Sequence, residues 1–160
     1  MIPDYTSMPE DSKVWVFPSE KKIYKNEIEA LEKRIGDFLT GWEQQNTGLA
    51  ASFTLKYNRF IVIFADSDAA ISTQTTDELI GFILELQAAF NTELMDKMNA
   101  CFKQGDYVQY KDLKDFKKLI KDKAVNKNTI VFDNLVATKQ EFDGYWEVSA
   151  SESWYGNMFK

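Results

Sequence analysis

Apolar and polar positions along this chain repeat with two periods, and the switches between them mark its elements. Lys13-Val14-Trp15-Val16-Phe17 is β-branched and aromatic and stops at Pro18, which predicts a short strand. Ile28, Leu31, Ile35, Phe38 and Trp42 then recur at helical spacing. They predict an amphipathic helix over 27–44, with Asn26 as N-cap and Glu29 completing a capping box. Ala51, Phe53, Leu55 and Tyr57 alternate with Ser52, Thr54 and Lys56, the period of a half-buried strand. Asn58-Arg59 is the expected turn into Phe60–Ala65, whose unbroken apolar run suits a strand covered on both faces.

A polar loop over 66–75 leads to a second helix. Thr75 and Glu78 form its expected capping box, and Leu79, Ile80, Phe82, Ile83, Leu84, Leu86 and Phe90 give it a wide apolar face. Lys97–Lys103 and Tyr107–Tyr110 alternate around Gln104-Gly105-Asp106, which predicts a hairpin. Leu113, Phe116, Leu119 and Ile120 mark a third helix capped by Asp112. Thr129–Phe132 reads as a strand, and Thr138 with Glu141 opens a short fourth helix. Residues 1–12 and 147–160 are expected to be extended tails on a single domain spanning the chain.

The resulting order opens with β-α-β-β-α-β, the pattern of the split β-α-β unit in ferredoxin-like folds. The fold class expected is therefore α+β: a mixed, largely antiparallel sheet with helices on one face, extended by a C-terminal hairpin, helix and strand.

Composition narrows the setting. A chain of 160 residues buries enough surface to need no disulfide or metal staple. Its single cysteine, Cys101, fits a reducing compartment better than a secreted one. The start, Met1-Ile2-Pro3-Asp4-Tyr5, lacks the basic and apolar regions of a signal peptide, so a cytoplasmic location is expected. The net charge of −6 disfavours binding to nucleic acid or to an anionic membrane surface.

The candidate chemistry is sparse. The chain has no histidine, which removes Ser-His and Cys-His nucleophile pairs and every imidazole metal site. No Gly-x-x-x-x-Gly-Lys-[Ser/Thr] loop is present, and the seven glycines never fall as Gly-x-Gly-x-x-Gly. No cofactor is expected. Asp66-Ser67-Asp68 places two carboxylates where an apolar strand ends, a common location for a metal-dependent hydrolase or phosphatase, with Asp77 on the next helix as a third carboxylate. It resembles the Asp-x-Asp of haloacid-dehalogenase-type phosphatases, but Ala70 stands where that pattern has Thr or Val. Asp and Ser are also plain turn formers.

Residues 111–127 hold seven lysines against three aspartates, a local charge of +4 that leaves −10 on the rest. Lys111, Lys114, Lys118 and Lys121 share one helical face. Such a face either docks an acidic partner or is simply solvated, with lysine stems covering the core edge. Tyr107, Tyr110 and Trp154 lie in less periodic segments and are candidate interface anchors beside Lys114, Lys118 and Lys121.

Several segments together resemble a small family of bacterial proteins of about this length. They are Arg59–Ile63, Asp96–Asn99 with Phe102–Gly105, Lys127–Phe132, and Trp146–Val148 with Ala150–Trp154. Members often carry the automatic label "ABC transporter ATPase". That resemblance implies no functional residues, and the label requires a phosphate loop that this chain lacks. The function expected is a non-enzymatic domain binding a protein or small molecule. The alternatives are a Mg²⁺- or Mn²⁺-dependent hydrolase using Asp66 and Asp68, and a homo-oligomeric structural protein, in the simplest case a homodimer.

Overall fold

A computed structural model describes residues 2–67 and 69–159. The fold is α+β. Its strands are β1 (Lys13–Pro18), β2 (Leu49–Lys56), β3 (Phe60–Ser67), β4 (Asn99–Gln104), β5 (Tyr107–Asp112), β6 (Ile130–Phe132) and β7 (Glu147–Ser149). Its α-helices are α1 (Lys25–Gln45), α2 (Thr73–Phe90), α3 (Leu113–Lys121) and α4 (Lys139–Tyr145).

The one-sheet expectation is corrected. β1-β3-β2 form one sheet and β5-β4-β6-β7 a second, and every strand pair is antiparallel. The first sheet keeps the split β-α-β order, with β3 between β1 and β2. β4 does not extend it at the β1 edge, because it pairs with β5 and β6 instead. Helices on a single face is corrected too. α1 and α2 cover the outer face of the first sheet through Leu31, Ile35, Leu39, Leu79 and Ile83, which meet Ile61, Ile63 and Ala65 of β3. The other face of that sheet, Val14, Val16, Phe60, Val62 and Phe64, meets Cys101 and Phe132 of the second sheet together with Phe142 and Trp146. Behind the second sheet, Ala100, Phe102, Val131 and Val148 pack against Phe116 of α3 and Tyr155. The protein is thus a four-layer sandwich of helices, sheet, sheet and helix.

β3 is the strand that this arrangement demands. Its residues 60–65 alternate between the helical layer and the inter-sheet layer, and all six are buried. That explains a continuous apolar run in place of an alternating one.

Three local expectations shift by a few residues. α1 begins at Lys25, and Glu27, not Glu29, accepts the backbone N–H of Tyr24 at 3.1 Å, so Asn26 lies inside the helix. α2 is capped by Ser72, whose Oγ accepts Thr75 N–H at 3.1 Å, while Thr75 itself is buried. The β2–β3 turn is centred on Tyr57 and Asn58, with φ of 55° and 52°, one residue before Asn58-Arg59. Asp112 does cap α3, accepting Asp115 N–H at 2.8 Å. Thr138 and Glu141 do form their capping box. Gly105 has φ of 63° at the first central position of the β4–β5 turn, where a side chain would be strained.

The terminal segments are not extended tails. Residues 5–7 form a 3-10 turn, and residues 147–149 are β7. Short 3-10 helices follow at Ala150–Glu152 and Trp154–Phe159, where Tyr155 is buried and donates its hydroxyl to Asn99 O at 3.1 Å. Among the described residues no helix is long and apolar enough to cross a membrane.

Candidate functional site

A candidate site lies in the helical layer, where α1 starts and α2 ends. It is a cavity of about 300 Å³. Ile23, Leu31, Ile61, Leu86, Phe90 and Leu94 give it an apolar lining. Lys21, Lys22, Asn26 and Glu27 also line it. The segment 19–24 reaches this place because β1 ends at Pro18 and the chain must climb to α1. Arg59 holds that climb: its guanidinium donates to the carbonyls of Ser19 and Glu20, both at 3.0 Å. Ser19 Oγ also contacts Thr92 Oγ1 at 2.8 Å, and Lys21 N–H donates to the same Thr92 oxygen at 3.1 Å. The walls are thereby cross-linked from the segment after β1 to the segment after α2. Asn91, in the left-handed conformation at φ 49°, ends α2 beside the pocket.

A second, more open cleft of about 370 Å³ lies among Tyr5, Lys56, Tyr57, Phe142, Asp143 and Glu147. Tyr57 occupies it in a backbone conformation unusual for a non-glycine residue. Its hydroxyl donates to Glu147, and Lys103 bridges to the other oxygen of Glu147 at 3.1 Å while lying 5.0 Å from the Tyr57 ring centroid. Burial and the Glu147 contact push the Tyr57 phenol above its ordinary value. The ring packs on Phe132, Phe60 and Trp146, which is what holds the turn in place.

The residues singled out from sequence fall elsewhere. Asp66 is half-buried near the end of β3, paired with Ala50. By strand alternation it shares the face of Val62 and Phe64, away from α1 and α2. Asp77 is exposed on α2, on the opposite side of that sheet. The two are therefore not brought together, and Asp68 lies outside the described residues. Among the described residues no three His, Cys, Asp or Glu groups converge into a cation site.

Lys114, Lys118 and Lys121 are exposed on α3, and among the described residues none forms an ion pair. Tyr107 is 70% exposed. Tyr110 does not join them: with Val108 it points into the inter-sheet layer, opposite to α3. Its buried hydroxyl has no hydrogen-bond partner among the described residues, and burial pushes its phenol upward. Trp154 is half-buried against Tyr155, with ring centroids 4.2 Å apart. Of the expected anchors only Tyr107 stands free.

Cys101 is fully buried between the sheets. Burial pushes its thiol up to about 12 against the opposing pull of Arg59 and Asn134, so it stays a neutral thiol at physiological pH. No protein-family model, curated protein or solved structure matches the chain.

The α1–α2 pocket was missed at the level of sequence because its walls come from residues 19–31 and 86–94, with Ile61 beneath. Only Ser19, just after Pro18, and Asn91, just after the last apolar residue of α2, hint that both walls end at this place.

Proposed function

We propose that this protein is a binding domain whose ligand is a small molecule with an apolar body, held between the start of α1 and the end of α2. The observation that supports this reading is the apolar cavity there, lined by Ile23, Leu31, Leu86 and Leu94 and tied at its walls by Ser19 and Thr92. At about 300 Å³ it is at the small end of ligand pockets, which run from roughly 300 to 1,000 Å³. Asp66 and Asp77 lie on opposite faces of the first sheet, and Asp68, which the hydrolase reading pairs with Asp66, lies outside the described residues.

The test is an NMR titration of the methyl groups of Ile23, Leu31, Leu86 and Leu94 with short alkyl probes. Progressive, saturable shifts in those methyls are expected. Asn26→Trp, at an exposed position on the pocket lining, should block them without unfolding the domain. Shifts elsewhere with these four methyls unmoved would sink the reading.

A second reading is favoured by a separate observation. The lysines of α3 are exposed and unpaired among the described residues, and Tyr107 at the start of β5 is exposed as well. We propose that this outer face docks an acidic protein surface.

A further inference from the structure

The polar groups of the α1–α2 pocket divide into those already committed and those still available. Inside, Ser19 Oγ donates to Lys21 O at 2.5 Å and is shared with Thr92 Oγ1 at 2.8 Å. Thr92 Oγ1 accepts Lys21 N–H at 3.1 Å. Glu27 accepts the N–H of Tyr24. A sugar or other polyhydroxylated ligand would lose its water and find the Ser19 and Thr92 hydroxyls already engaged, which is costly. The remaining interior wall is apolar. The lining groups with polar ends to spare include the ammonium groups of Lys21 and Lys22, neither in an ion pair among the described residues, the side-chain amides of Asn26 and Asn91, and the second carboxylate oxygen of Glu27.

The helix ends do not decide the sign of the charge at this mouth. α1 presents its N-terminus and α2 its C-terminus, so their dipoles oppose each other. Glu27 contributes one negative charge against the two lysines. Counted over the lining residues the balance is positive, on a chain whose net charge is −6, while Glu20 and Glu93 line the adjoining groove that shares Lys21.

We infer that the ligand of this pocket is a small amphiphilic anion, an alkyl or aryl carboxylate whose apolar body sits against Ile23, Leu31, Leu86 and Leu94 while its head group is met by Lys21, Lys22 and the Asn26 amide. This assignment rests on the pocket reading above and adds the charge of the head group to it. The body supplies affinity by leaving water, and the lysines supply the choice between anion, neutral molecule and cation.

The experiment compares octanoate, octanol and octyltrimethylammonium, which share one chain and differ in head group. Each is titrated against the wild-type protein at low salt, following the methyl resonances of Ile23, Leu31, Leu86 and Leu94. Octanoate should bind roughly fivefold more tightly than octanol, the scale that partly exposed ion pairs support, and the cation most weakly. The preference should shrink as salt rises. In the Lys21→Gln/Lys22→Gln double variant octanoate should weaken to the level of octanol, with octanol itself unchanged. If octanol or the cation binds as tightly as octanoate while the methyls still respond, the head-group assignment is overturned and the pocket reading survives. If none of the three probes moves the methyls, the pocket reading fails and the assignment fails with it.

Discussion

The indole Nε1 of Trp42 donates to the backbone carbonyl of Thr75 at 3.1 Å, inside the core. This bond joins the last turn of α1 to the first turn of α2. Asn46 extends the tie, accepting the Thr75 hydroxyl at 2.8 Å and donating to Glu78 at 3.3 Å. The two helices are thus fastened directly to each other at the end opposite to the pocket, whereas at the pocket end the tie runs through Ser19, Lys21 and Thr92.

Trp42→Phe should therefore cost about 1–3 kcal/mol, since it removes a buried hydrogen bond and ring volume. Urea denaturation measures it. A loss well below that range would mean water replaces the indole donor.

Alkaline pH should destabilise the protein. Burial raises the folded-state values of the Cys101 thiol, to about 12, and of the Tyr110 and Tyr155 phenols. For each group the unfolded chain releases its proton first, so the contribution is complete below the unfolded value and is lost as pH rises through the folded one. For the thiol that window runs from about 9 to about 12. Thermal melts across this range should show a falling midpoint. Cys101→Ala should remove the part due to the thiol, and folded wild type should resist thiol-specific reagents at pH 8.

Converting Lys114, Lys118 and Lys121 to Glu should weaken retention on an acidic polymer such as polyglutamate while leaving the fold intact. Lys118 and Lys121 sit in the last turn of α3, where cations suit the helix dipole, so a decrease of a few degrees in melting temperature is expected. Unchanged retention would show that this face is merely solvated.

Mg²⁺ and Mn²⁺ should shift the melting temperature of neither wild type nor Asp66→Asn. A rise confined to wild type would restore a metal-binding role for Asp66.

Much of the fold could be read along the chain because each element carries its own period. The stripe of Leu31, Ile35 and Trp42 defines α1, and the unbroken run 60–65 identifies the doubly covered strand. The division into two sheets could not be read the same way. Ala100, Cys101 and Phe102 are all buried, as they would be in a fourth strand of the first sheet, and a strand does not encode which edge it joins. The tail was misread because Tyr155, the residue that anchors it, follows no period. The candidate site was least legible. Lys21 and Thr92 are separated by 71 positions, and Ser19, which contacts the same Thr92 oxygen, is held by Arg59 at the start of β3.

The layering has a thermodynamic corollary. The pocket belongs to the outermost layer on one side and the lysines of α3 to the outermost layer on the other, with both sheets between them. Between the two sheets lies a packed seam in which Phe60 meets Phe132, ring centroids 4.9 Å apart. Close-packed aromatic seams shift little, so substitutions at Lys21 and Lys118 should combine additively, each acting on its own partner as if the other face were absent.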